Sequence, residues 1–354
     1  MNRRQYLDWL RGIGVLIMVE AHTLDSWTRV EDRGHAYGWA MVVGGFGAPT
    51  FLFLAGVSLA LAVGSRLRKG LSEGDAGARA RRRGWQIFGL AFLFRLQSAL
   101  ISGGWSLQLL FKVDILNVMG LSMLAAAVLW RLGRGLGSRT ILLASAATAV
   151  AMLTPIIRET PVLTPLPDPI EWYFRPDSGR TTFALFPWAG FLLAGSAVGL
   201  WLDRASDQFR ERRAVIACAA LGLTMALSGY AAAFLPPIYA VTNFWTSSPT
   251  FFFLRLGLLL VAVPVAYFWM MWMPGRSRIV EFGVASLFVY WIHVEMVYGV
   301  LSLPIHRRLT LGQAFVAFIV FSLFLFWLVT LKGKFVAWRA GSSSGLHENP
   351  AKGV

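Results

Sequence analysis

The chain has one cysteine, Cys218, in the middle of an apolar run. An intrachain disulfide is excluded, and no C-x-x-C pair exists to hold zinc or to run thiol redox chemistry. No H-x-x-x-H or H-x-x-E pair occurs either, so no metal site is expected. The sequence also lacks a Walker loop and a dinucleotide fingerprint, which removes P-loop enzymes and Rossmann dehydrogenases. Charge is scarce: Asp, Glu, Lys and Arg make up 14% of the 354 residues, against roughly 25% in a soluble domain. Acids are the scarcer sign, 18 against 33 Lys and Arg, for a net charge of +15. No internal repeat of roughly 20 to 50 residues is visible, which argues against a solenoid.

What fills the chain instead is apolar and aromatic. Hydrophobic residues reach 56%, with 15 Trp, 26 Phe and a mean hydropathy of +0.59. Ten stretches are long enough to cross a hydrocarbon core of about 30 Å: residues 7–24, 39–64, 84–102, 115–130, 140–156, 183–202, 214–235, 251–273, 282–303 and 311–331. The expected fold is an all-α integral membrane protein of about ten transmembrane helices. It forms one domain over residues 1–335, followed by a disordered cytoplasmic tail at 340–354.

The basic residues fall in alternate connections. The loop SRLRKGLSEGDAGARARRR holds seven Lys and Arg, and most of the rest lie in WRLGRGLGSR, DRASDQFRERR, GRSR and KGKFVAWR, whereas PPIYAVTNFWTSSP has no charge. The positive-inside rule puts both termini in the cytoplasm of a multi-pass plasma (inner) membrane protein. With its basic residues spent on topology and no soluble aromatic platform, the chain is not a nucleic-acid binder. Arg3 and Arg4 precede an apolar run as in a signal peptide, but Asp8, Arg11 and Glu20 interrupt that run, so it reads as a retained helix. Between the fifth and sixth stretches, RETPVLTPLPDPIEWYFRPDSGR carries five prolines and three aromatics. A lid and a plain solvated loop are both consistent with it.

Charges inside apolar stretches are the functional candidates, because lipid exposure is so unfavourable for them. Arg11 and His22 are eleven residues apart in YLDWLRGIGVLIMVEAHTLD, which places them on one helix face about 16 Å apart. Asp8 and Asp25 share that side, while Glu20 falls nearly opposite. This face should line a protein cavity. Arg95, Arg255 and His293 lie at comparable depths and extend a polar column, with an Arg255–Glu295 ion pair as the purely structural alternative. In SLFVYWIHVEMVYG, Tyr290 and His293 share a face, and Glu295 is about 160° from His293, so those two cannot pair within the helix.

These segments carry a resemblance. YLDWLRGIGVLIMVEAH, FGAPTFLFLAGVSLALA, LFPWAGFLLAGSAVG and SLFVYWIHVEMVYG resemble the heparan-alpha-glucosaminide N-acetyltransferase catalytic-domain family, in its bacterial branch of unknown function, over nearly the whole chain. The Arg11 to His22 spacing is also similar to the acyltransferase-three family of the same transmembrane acyltransferase group. The resemblance implies a ten-helix core with a through-membrane pore. Acetyl-CoA would enter from the cytosol as donor and thread its pantetheine arm through the pore. The acetyl group would then pass to a sugar or glycan amine or hydroxyl on the far side. A homodimer is implied as well.

Two histidines compete for the chemistry. In lysosomal members of the family an asparagine stands where His22 stands, and the catalytic histidine comes later. Counting back from PTFLFLAG, His35 in DRGHAYGW matches that later one. His22 has Asp25 three residues on as an orienting carboxylate and lies deep enough for a water-poor reaction centre, whereas His35 sits in a charged loop. Either would act as general base or carry the acetyl group briefly. For the CoA phosphates the candidates are Arg11, Arg66, Arg68, Arg81, Arg82, Arg83 and Arg95, since a guanidinium meets phosphate oxygens bidentately. The same arginines equally suit a loop that only sets topology. Asp8, Asp114, Asn117, Trp188, Arg255, Tyr290 and His293 are candidates for the acceptor pocket or the pore. A secondary transporter using the polar column as its path is the alternative from another class, and a non-catalytic scaffold is a third.

Overall fold

A backbone crossing lipid must satisfy its N–H and C=O groups internally, and helix is the form this chain takes. The computed structural model describes residues 4–102, 107–205, 207–273, 275 and 277–344. In chain order the α-helices are α1 Gln5–Trp27, α2 His35–Gly44, α3 Gly47–Arg68, α4 Glu73–Ser102, α5 Leu107–Leu110, α6 Ile115–Leu132, α7 Leu136–Glu159 and α8 Asp168–Glu171. They continue as α9 Leu185–Asp203, α10 Gln208–Ala232, α11 Pro249–Trp272, α12 Arg278–Val284, α13 Ser286–Tyr298 and α14 Leu311–Ser344. Among the described residues no strand forms, only two isolated parallel bridges.

Each of the ten expected stretches falls on helix. Eight are long and apolar enough to cross a membrane, α2 and α3 together counting as one. The stretch at 282–303 differs from a straight span: α12 and α13 meet at 81° around Ala285. The small residues Gly283, Ala285 and Ser286 permit that bend. Helix α1 is long enough but carries Asp8, Arg11, Glu20 and Asp25, which lower its hydropathy.

Helix α1 runs through the centre and packs on α3, α11, α12, α13 and α14. Its contact with α12 is a backbone approach, since a Cβ on Gly12 would run into the Ile279 carbonyl and one on Gly283 into that of Asp8. Helices α3 and α9 meet in the same way, Gly56 on the Leu192 carbonyl and Gly195 on that of Phe53. In lipid such small-residue contacts supply the packing that hydrophobicity cannot.

Loops gather at two ends of the bundle. At the arginine-rich end, ion pairs join segments distant in sequence: Arg4 to Glu211 at 2.5 Å, Arg68 to Asp203 at 2.7 Å and Arg139 to Glu73 at 2.6 Å. At the other end the backbone of Thr28 pairs with Leu309 and that of Val113 with Thr181. The second bridge anchors the proline-rich segment, whose Trp172 is buried and whose Tyr173 carbonyl accepts from Leu185 N–H at 2.7 Å. That segment is a built wall rather than a bare linker. Of the expected C-terminal tail, residues 340–344 continue α14, and residues 345–354 lie outside the described residues.

Candidate functional site

Two cavities open along one face of α1. The first, about 550 Å³, lies toward the arginine-rich end, with Arg4, Asp8, Arg11, Ser58, Arg66 and Arg83 among its lining residues. Arg11 is held in place: it donates to Asp8 at 2.8 Å and to the Ser58 hydroxyl at 2.6 Å. The rest of this wall is largely apolar, including Phe51, Ile87 and Met119. We refer to it as the arginine chamber.

The second, about 790 Å³, lies toward the other end and is lined by His22, Asp25, Arg95, Lys112, Asp114, Arg158, Trp188, Trp245, Arg255 and Glu295. Met18, Ile115 and Tyr290 line both cavities and so mark the boundary between them, here called the neck. All three are buried. His22, one helical turn beyond Met18, stands just past this neck on the same face as Arg11. We refer to this cavity as the histidine chamber.

His22 does not stand alone there. Its Nδ1 is 2.9 Å from Nε2 of His293 on α13, and the rings stack at 5.1 Å. The Nδ1 of His293 is 2.9 Å from the Val289 carbonyl oxygen, which can only accept. In the neutral ring Nδ1 of His293 therefore carries the proton and Nε2 a lone pair, so His22 must donate from its own Nδ1. The Nε2 lone pair of His22 is left available, and His22 is half-buried in the chamber wall while His293 is fully buried behind it. A neutral imidazole whose tautomer is fixed from behind is the form a general base needs.

Asp25 was expected to orient His22, but the side chain in hydrogen-bond contact with the His22 ring is that of His293. The Asp25 carboxylate is exposed and accepts from Tyr298 at 3.3 Å and Tyr37 at 3.4 Å, with Arg33 nearby at 3.8 Å. His293 is not a lining residue but the group behind one. His35, the rival base, is the first residue of α2, exposed, with its ring against Trp39. It lines neither chamber.

Of the seven arginines expected at the CoA phosphates, Arg11, Arg66 and Arg83 meet in the arginine chamber. Arg68 is exposed and paired with Asp203, and Arg81 and Arg82 lie off the chamber wall. Helical geometry explains the split, since successive residues point about 100° apart and the run 81–83 cannot face one cavity. Arg95 belongs to the histidine chamber, where it donates to Asp114 at 2.9 Å. Asn117, expected in the acceptor pocket, is buried structure. Its Oδ1 accepts from Asp114 N–H while Asp114 caps α6, and its amide donates to Tyr173. Burial pushes the Tyr173 phenol up to about 12, so it stays neutral there. Asp8, Asp114, Trp188, Arg255 and Tyr290 line the cavities.

The Arg255–Glu295 pair does not form. Arg255 lies over the Phe251 ring at 3.9 Å with its Nε unpartnered, and Oε1 of Glu295 is unpartnered too. Lys112 and Arg158 are site residues that hydropathy and spacing did not bring forward, because both sit where helices end and basic residues are ordinary.

Comparison with curated proteins returned no match. The catalytic-domain profile of heparan-alpha-glucosaminide N-acetyltransferase matches residues 3–231. The match is narrower than the near-complete resemblance expected. It takes in α1 to most of α10 but leaves out SLFVYWIHVEMVYG, with Tyr290 and His293. It still covers well over half of the chain, including His22 and Arg11, and the protein therefore belongs to the heparan-alpha-glucosaminide N-acetyltransferase catalytic family, a family of transmembrane acetyltransferases.

Proposed function

We propose that this protein transfers an acetyl group from cytosolic acetyl-CoA to a sugar amine or hydroxyl on the opposite side of the bacterial plasma membrane, with His22 as the base. The observation that carries this reading is the pair of chambers on one face of α1, joined at Met18, Ile115 and Tyr290, with arginines on one side and the His22–His293 pair on the other. In this reading Arg11, Arg66 and Arg83 hold the CoA phosphates and the pantetheine arm extends through the neck. The acceptor nitrogen or oxygen attacks the thioester carbonyl carbon as Nε2 of His22 removes its proton. The C–S bond then breaks, an amide or ester is formed, and the proton passes from His22 to the departing thiolate, giving CoA as the thiol. The His293 hydrogen bond keeps the lone pair of His22 directed away from α13 and stabilises the imidazolium between the two transfers.

Acetyl-CoA binding and turnover by the purified protein test the reading together. Binding with acetyl transfer to an amino sugar is the expected result, and failure to bind at millimolar acetyl-CoA would favour transport. Among the described residues α12–α13 is the one helix pair bent by more than 40° at a short break, so it has no equally bent counterpart of the kind many transporters pair. Sidedness is tested separately. Single cysteines placed in residues 65–83 should resist an impermeant thiol reagent in intact cells, and those in 158–180 should label; the reverse pattern would invert the direction of transfer.

A further inference from the structure

Two arginines in the histidine chamber have no ion-pair partner among the described residues. Arg158, in the last turn of α7, and Arg255, two turns into α11, both line it. Neither lies within ion-pair distance of a carboxylate among the described residues, and the Nε of each is buried without a partner. Arg158 gives one N–H to the Phe186 carbonyl at 3.2 Å. Arg255 rests on Phe251, which steadies the guanidinium plane but uses none of its donors. The acid next to Arg158 in sequence, Glu159, is exposed and not part of the chamber wall. The Nε of Arg95 is likewise buried without a partner, but its guanidinium is ion-paired with Asp114. Lys112 adds further positive charge, and its ammonium is pushed below the ordinary lysine range by burial and by Arg95 beside it.

Glu295 lines the same chamber but pairs with neither guanidinium, and an unpaired guanidinium in a low-dielectric cavity is strongly unfavourable unless an anion reaches it. We propose that Arg158 and Arg255 form a subsite for an anionic group, a phosphate or carboxylate, carried by the acceptor beside the amine or hydroxyl that reacts at His22. The proposal rests on the acyltransferase reading and narrows its acceptor to an acidic sugar. Trp188 and Trp245 in the same wall supply the apolar surface that a ligand pocket sets beside its few placed polar groups. The planar fork of arginine is the side chain best suited to a phosphate or carboxylate.

The test compares glucosamine with glucosamine 6-phosphate, which differ by one anionic group, using the full chain in detergent without anionic lipid. The expected wild-type kcat/KM is at least about 10-fold higher for the phosphorylated sugar. That ratio should fall toward one in the R158Q/R255Q double variant and be partly kept in R158K/R255K. Acetyl-CoA binding at the other chamber checks that the variants are folded. A wild-type ratio near one, or equal losses for both sugars in the glutamine variant, would overturn the subsite.

Direct binding of the two sugars, followed by tryptophan fluorescence, keeps the test independent of turnover. Anion-selective binding that disappears in R158Q/R255Q while no acetyl is transferred would uphold the subsite and sink the acyltransferase reading. Absence of anion-selective binding would sink the subsite alone. Repeating the measurement in phosphatidylglycerol nanodiscs separates the two sources of phosphate. Abolished binding of the sugar phosphate there would assign the arginines to a lipid headgroup and overturn the acceptor assignment.

Discussion

The arginine chamber and the histidine chamber share α1 and a neck, yet they treat buried charge differently. In the arginine chamber the deep charge is satisfied by the protein: Arg11 has Asp8 and Ser58. In the histidine chamber Arg95, Arg158, Arg255 and Glu295 each keep an unpartnered buried atom, and of these only Arg95 also has an ion pair. A partnered charge can sit in place without ligand, whereas an unpartnered one is stabilised only when something else arrives. On the proposed acyltransferase reading, the first chamber would be preformed for a constant donor, and the second would hold its unmet polar groups for the variable acceptor. The second chamber also has built elements, the Arg95–Asp114 ion pair and the His22–His293 pair, and on the same reading the latter pair is where the chemistry would be common to every acceptor.

The sharpest way to break this comparison is at His22. His22→Ala should leave acetyl-CoA binding intact and lower turnover by at least about 100-fold, the usual worth of a positioned base, while His35→Ala should be mild. The opposite ranking, read from steady-state rates and donor binding side by side, would move the reaction centre out of the chamber to the start of α2.

His293 comes next. It touches no substrate in the proposed scheme, so His293→Gln should lower kcat by roughly 10-fold or more and leave the acceptor KM near its wild-type value. A Gln side chain could still accept from His22, so the pH–rate profile should shift less in His293→Gln than in His293→Ala. Identical profiles in the two variants would reduce His293 to packing.

Arg11→Gln should weaken CoA by about 10-fold, since one charge-assisted contact is worth roughly 1.5–3 kcal/mol. A pantetheine fragment without the nucleotide should lose little. Equal losses for both ligands, measured by calorimetry, would mean that cutting the Asp8 and Ser58 contacts had disturbed α1 instead.

The smallest effect belongs to the neck. Met18→Ala widens it, so the rate with butyryl-CoA relative to acetyl-CoA should rise by roughly 3- to 10-fold, in line with the small leverage of apolar pockets over chain length. An unchanged ratio would show that acyl groups are not selected between the chambers.

Much of this was legible beforehand, and the exceptions share a cause. The ten apolar stretches, the alternation of charged loops and the common face of Arg11 and His22 follow from periodicity within single helices. What escaped were relations between helices. His293 is 271 residues from His22, and its turn toward α1 depends on the 81° break that small residues allow but do not dictate. Asp25 looked like the natural partner because it is three residues away, yet position 25 lies near the end of α1, where Tyr298 and Tyr37 are within reach. Arg255 and Glu295 looked like a pair because their charges match and their depths are similar, and the packing of α11 and α13 leaves each without the other.

The chain by itself determined that it forms helices in lipid, where those helices run, which loops share an end and that one face of α1 is too polar for lipid. These follow from hydropathy and the 3.6-residue period, both local properties. Only the tertiary structure decided that the polar face meets two cavities rather than one, that Tyr290, Met18 and Ile115 part them, and which charges find partners. Those outcomes depend on how close whole helices come, which is set by glycine contacts between distant segments and by the bend at Ala285, and no local pattern specifies which surfaces will meet.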